Sequence, residues 1–149
     1  MLRSFLIGLV AGQRAMTPLA VLAGAARRGL LPRHAPLARL LARPPFAAGA
    51  VALAAAEMAG DKMKSAPDRI APSGLLARSI TSAYAGAALA PKGQRLAGGA
   101  LAAVAALAAS YVGWRLRCAA MRRYGQTASG VAEDGLILGS GLAIALRPG

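Results

Sequence analysis

A chain of 149 residues, 56% hydrophobic and only 4% aromatic, has the length of one domain (1–149) but not the composition of a soluble core, because Ala and Gly dominate its apolar stretches. Small residues suit helices that approach closely in lipid, where backbone contact replaces aqueous burial as the source of association. The net charge of +13 does not point to nucleic acid: the basic residues cluster between apolar runs, as they do beside lipid phosphates, with no interleaved aromatics or nucleic-acid motif.

Five apolar runs, each near the ~20 residues that cross a bilayer, are expected as helices over 5–24, 44–60, 73–90, 96–114 and 128–146. The first follows Met1-Leu2-Arg3 in the manner of a signal peptide, but Arg14 interrupts it and hydrophobicity then resumes, which favours a retained segment. Thr17-Pro18 predicts a kink or break, since proline removes a helical hydrogen bond and clashes with the preceding turn. A break exposes backbone polar groups that persist only against protein or a wet cavity. Gly8 and Gly12 form a G-x-x-x-G pair that permits close helix contact, as do Gly135 and Gly139.

Residues 27–43 form a basic linker, with a short interfacial helix expected over 37–41 and His34 as a solvated or headgroup-facing side chain. The second run ends on Glu57-Met58-Ala59-Gly60-Asp61-Lys62. A polar loop passes through Asp68, and Pro72-Ser73-Gly74 opens the third run. Pro91-Lys92-Gly93-Gln94 reads as a tight turn. The fourth run is uncharged and ends at Tyr111 and Trp114 beside Arg115, an interfacial belt. The lone Cys118 offers neither a disulfide nor metal-type spacing.

With five spans, eight basic residues fall on each side: Arg3, Lys62, Lys64, Arg69, Arg115, Arg117, Arg122 and Arg123 against Arg27, Arg28, Arg33, Arg39, Arg43, Lys92, Arg95 and Arg147. That balance suits a dual-topology protein. An internal echo accompanies it. Arg14-Ala-Met-Thr17 recurs as Arg78-Ser-Ile-Thr81, and Ala56-Glu57-Met-Ala-Gly60 as Ala132-Glu133-Asp-Gly135, as in transporters built from two halves.

The chain has only five acidic residues, Glu57, Asp61, Asp68, Glu133 and Asp134, and four of them lie in or beside apolar stretches. Each costs roughly 2–3 kcal/mol near a bilayer centre unless compensated. Arg14 and Arg78 occupy similarly apolar stretches. At helical spacing Glu57 and Asp61 share a face, as do Arg14 with Thr17 and Arg78 with Thr81, whereas Glu133 and Asp134 diverge toward different partners. Between Glu57 and Asp61 either a cation intervenes or one carboxyl is protonated.

Three readings compete. Arg14 and Arg78 neutralise Glu57 and Glu133 and fix helix registry; or the carboxylates carry protons or cations past fixed arginines; or Glu57, Asp61 and Asp68 bind a divalent metal while Lys62, Lys64 and Arg69 grip a phosphate. No Walker loop, Rossmann fingerprint or nucleophile–His pairing identifies a cofactor or a soluble-enzyme chemistry.

Glu57-x-x-Gly60-Asp61-Lys62-x-x-x-x-Pro67-x-Arg69-x-x-Pro72, running on to Arg78 and Gly86-Ala87, resembles the bacterial "domain of unknown function 4126" family of small integral membrane proteins. Gly12-x-Arg14-Ala15-x-x-Pro18-Leu19 and Val131-x-Glu133-Asp134 fit the same pattern. Met63-Lys64 departs from it, where Leu/Ile-Pro is expected. The resemblance implies a membrane protein and no particular activity. Gly60-Asp61-x-x-Lys64-Ser65 also resembles a short stretch of the CDP-archaeol synthase family, which attaches a nucleotide to a lipid phosphate.

The expectation is an all-α polytopic transmembrane bundle in the cytoplasmic (inner) membrane, with a broken first helix and a two-half repeat. It contacts the lipid bilayer, its anionic headgroups and further copies of itself. Its function is passage of a small ion or solute through a cluster of Arg14, Thr17, Glu57, Asp61, Lys62, Arg78, Thr81, Glu133 and Asp134. The alternatives are a metal-dependent enzyme acting on a phosphorylated lipid, with Glu57, Asp61 and Asp68 as ligands, and a passive assembly protein.

Overall fold

The computed structural model describes residues 1–32, 34–60, 71–124 and 126–146, and within them every regular element is an α-helix. In chain order these are α1 (Leu2–Gln13), α2 (Thr17–Arg27), α3 (Ala38–Leu41), α4 (Pro44–Gly60), α5 (Pro72–Leu89), α6 (Arg95–Tyr124) and α7 (Gln126–Ala145). Prolines set several starts: Pro44-Pro45 and Pro72 stand in first turns, where a missing N–H leaves no bond unmade. Between α5 and α6 the turn closes through Gln94 N–H to the Pro91 carbonyl at 3.0 Å, with Gly93 at φ +85°.

The core is a triangle of α1, α5 and α6. Gly8 and Gly12 lay α1 directly on α6: a Cβ at either would overlap the carbonyl of Ala102 or Ala106. Gly86 does the same for α5, against Gly98 and Ala102. Matching positions rise together along α1 and α6, so these two run parallel and α5 runs antiparallel to both. Ser4 Oγ ties α1 to α5 by donating to the Gly86 carbonyl at 2.9 Å. Gly135 and Gly139, the other G-x-x-x-G pair, meet open space and make no such contact within the chain.

The first apolar run is not one span. α1 and α2 are 12 and 11 residues long, about 18 and 16 Å at the helical rise, against ~30 Å of hydrocarbon. They do not continue in one direction either. Arg3 donates to the carbonyls of Ile144 and Ala145, capping the end of α7, and Ala25 packs on that same Ala145. The outer ends of both arms therefore meet at one end of the bundle, and the chain doubles back at 14–16. Thr17-Pro18 starts a new helix there, with Arg14 extended (φ −142°, ψ 113°) as the α1 C-cap.

α4 packs on α2 through Ala47 and Ala50 against Leu19, Ala20 and Ala23, and α7 closes the other side through Val21, Ala25 and Ala145. The remaining runs form as expected, except that α6 extends ten residues past Trp114 to Tyr124. Among the described residues, one helix (Arg95–Arg123) is long and apolar enough by itself to cross a membrane. The first sequence echo differs in local structure: Arg14 lies at a chain reversal, whereas Arg78 lies inside the continuous α5. Pro18 has no equivalent after Thr81, so only the first copy breaks.

Candidate functional site at the hairpin tip

A chain reversal inside a bundle leaves polar backbone groups that need partners. Here the sequence supplies them from three helices. Glu57, in the last turn of α4, accepts from the Ala15 N–H with Oε1 at 2.7 Å and from the Met16 N–H with Oε2 at 2.8 Å. Ser110 of α6 donates to the Gly12 carbonyl at 2.9 Å and to the Ala106 carbonyl at 2.8 Å. The Gln13 amide donates to the Ala109 carbonyl at 2.7 Å, filling the space left by Gly113. Glu57 thus lies at the N-terminal, positive end of the α2 dipole.

Charges ring the tip. Arg14 is 1% exposed and pairs with Asp134 of α7. One helical position away, Glu133 turns to α6 and accepts from Arg117 at 2.7 Å. The neighbouring carboxylates thus hold different arginines. Arg78 is buried on α5 with Thr81 and Ser82. Those two hydroxyls bond their own helix, Thr81 to the Ala77 carbonyl at 2.9 Å and Ser82 to the Ser79 carbonyl at 3.1 Å. Eight residues separate Arg78 from Gly86, about 12 Å of helix. The antiparallel register of α5 therefore brings Arg78 toward the level of Arg14.

The structure thus joins Arg14, Thr17, Glu57, Glu133 and Asp134 around one chain reversal, with two corrections to the expected pairings. Arg14 neutralises Asp134 rather than Glu57, because Glu57 is committed to backbone amides that a broken helix leaves exposed. Glu133 accepts from Arg117, a partner the expected pairing did not include. Asp61, Lys62 and Asp68 lie outside the described residues. Among those described, no group of three His, Cys, Asp or Glu side chains is placed to hold a metal.

Arg117, Gln13 and Ser110 were not singled out from sequence. Arg117 read as a loop cation at a membrane edge, yet it is 7% exposed. The signal is present in the spacing: Ala102, Ala106, Ser110, Gly113 and Arg117 recur at three and four, one face of one helix.

Beside the Arg117–Glu133 pair a cavity of about 620 Å³ opens between α1, α6 and α7. Its walls are apolar, including Leu9, Val112, Leu116, Leu136 and Ile137, and its polar groups gather at Gln13, Arg117 and Glu133. No family model, curated protein or solved structure matches this chain.

Proposed function

We propose that this chain is an integral protein of the cytoplasmic membrane, in which α4 to α7 cross the bilayer and α1–α2 enters it as a re-entrant hairpin. The distribution of polarity supports this. Arg14, Thr17, Ser4 and Ser110 are at most 1% exposed, while Leu76, Leu96, Val104, Leu116 and Leu136 are each more than 60% exposed. That is inverted relative to a water-soluble domain, where charges almost never go inside and large apolar patches seldom stay outside.

The function this arrangement supports best is passage or exchange of a small ion or solute at the hairpin tip. One observation carries it: a carboxylate held by the backbone amides of a broken hairpin, ringed by buried charged pairs. Irregular backbone survives at membrane depth where it is buried in protein or lines a wet cavity, and discontinuous helices aim their ends at transported ions. The resemblance read in sequence to the "domain of unknown function 4126" proteins, which no family model match supports, would imply a membrane protein and adds no activity.

The test is flux. Protein reconstituted into liposomes should move protons or small ions down a gradient, and Glu57→Gln should slow that movement at least tenfold at equal reconstituted amount. Flux identical in wild type and Glu57→Gln, or absent from both, would remove this reading.

A further inference from the structure

The cavity between α1, α6 and α7 is long and polar at one end. It follows α7 from Glu133 to Ile144, eleven residues or about 16 Å of helix. A volume of about 620 Å³, with apolar walls and a few convergent polar groups, is that of a small-molecule site. Apart from Ser140 on the α7 wall, the polar groups stand together: Gln13, Arg117 and Glu133.

That polar end defines what fits. Arg117 is 7% exposed and donates from Nη1 to Glu133 Oε2 at 2.7 Å, so two charges cancel at an apolar wall. A charged head would arrive there as an uncompensated charge, which an apolar site penalises. A neutral head keeps the balance. It also has bonds to make. The Gln13 amide nitrogen donates to the Ala109 carbonyl, while Oε1 lies over Gly113 and accepts no hydrogen bond among the described residues. Gln13 Oε1 and the Glu133 carboxylate are acceptors, and a guanidinium is a fork of donors. A hydroxyl, which both donates and accepts, matches both kinds. A bare hydrocarbon matches neither.

We infer that this cavity binds a neutral single-chain lipid alcohol, with its hydroxyl among Gln13, Arg117 and Glu133 and its hydrocarbon chain along α7 toward Ile144. The inference is independent of passage at the hairpin tip.

The experiment photolabels the full chain in nanodiscs with dodecanol carrying a diazirine midway along its chain, and maps the labelled peptides. Labelling should saturate and fall on the walls around Leu116 and Leu136. Unlabelled dodecanol should suppress it, and farnesol in parallel tells a straight chain from a branched isoprenoid one. Dodecane and dodecanoate should each compete about tenfold less well than dodecanol, the worth of hydrogen bonds left unmade or of a charge left unbalanced. Ala108 is exposed and lines the cavity, so Ala108→Phe fills the space without disturbing the core and should abolish saturable labelling. Glu133→Gln leaves the Arg117 charge without its carboxylate, and dodecanoate should then become the better competitor by about tenfold. Dodecane competing as well as dodecanol overturns the inference, since the cavity then holds only bilayer hydrocarbon. Labelling unchanged in Ala108→Phe overturns it too, as does a dimer that excludes the label because a second copy covers the cavity. Should Glu133→Gln not fold, the Ala108→Phe and competition results decide alone.

Discussion

Glu57 stands in for the capping residue that α2 lacks. Met16 precedes that helix without a side-chain cap bond, and Pro18 brings no donor of its own. A carboxylate on two amides is a charge-assisted pair of bonds, so Glu57→Ala should lower unfolding stability by roughly 1.5–3 kcal/mol, with Glu57→Gln less severe. Thermal or denaturant midpoints in detergent check this, and equal midpoints for all three proteins would refute it. Arg14 and Asp134 should behave differently. Removing one partner of this ion pair should cost roughly 3–5 kcal/mol, while replacing both with apolar residues restores much of the loss. A double-mutant cycle with Arg14→Met and Asp134→Leu reads the coupling. The sequence marked every one of these residues as costly, because a charge in an Ala/Gly run is visible in one dimension. It could not assign the pairs, since Asp134, Arg14 and Glu57 come from three helices whose register depends on where small residues let backbones touch.

At the level of elements, the same spacing means two things. Gly8-x-x-x-Gly12 is buried against α6, whereas Gly135-x-x-x-Gly139 faces open space. Gly8→Leu or Gly12→Leu therefore forces α1 off the Ala102 and Ala106 carbonyls. It should cost more than the ~1–3 kcal/mol of ordinary overpacking, seen as lost monodisperse yield. Gly135→Leu should leave the monomer's stability within about 0.5 kcal/mol of wild type. Should the second pair mediate self-association, only the oligomeric mass would change. Helix positions were legible from run length and proline placement. The reversal at 14–16 was not, because proline announces a break but not the direction in which the chain leaves it.

For the molecule as a whole, the hairpin changes the topology. With the outer ends of α1 and α2 together, Arg3 joins Arg27, Arg28, Arg39, Arg43, Lys92 and Arg95 at one end of the bundle. Arg115, Arg122 and Arg123 remain at the other. Moving Arg3 alone turns the eight-to-eight count over the whole sequence into nine to seven, a split too even to set which side the hairpin mouth faces. Single cysteines in a Cys118→Ser background report this directly. In the proposed bundle Arg28→Cys and Lys92→Cys should react with an impermeant maleimide from one and the same side, and Arg122→Cys only from the opposite one. Labelling of all three from both sides would indicate dual insertion instead.

The short arms also have an electrical meaning. A tip about 18 Å from the hairpin mouth has roughly 60% of a ~30 Å hydrocarbon layer on one side of it and roughly 40% on the other. In the proposed membrane bundle an ion reaching the tip from the mouth side would then traverse about that larger fraction of the potential drop, worth ~1.4 kcal/mol per 100 mV of the ~2.3 kcal/mol for a full crossing. Passage by way of the hairpin tip would be voltage-sensitive even in a protein whose helices never move.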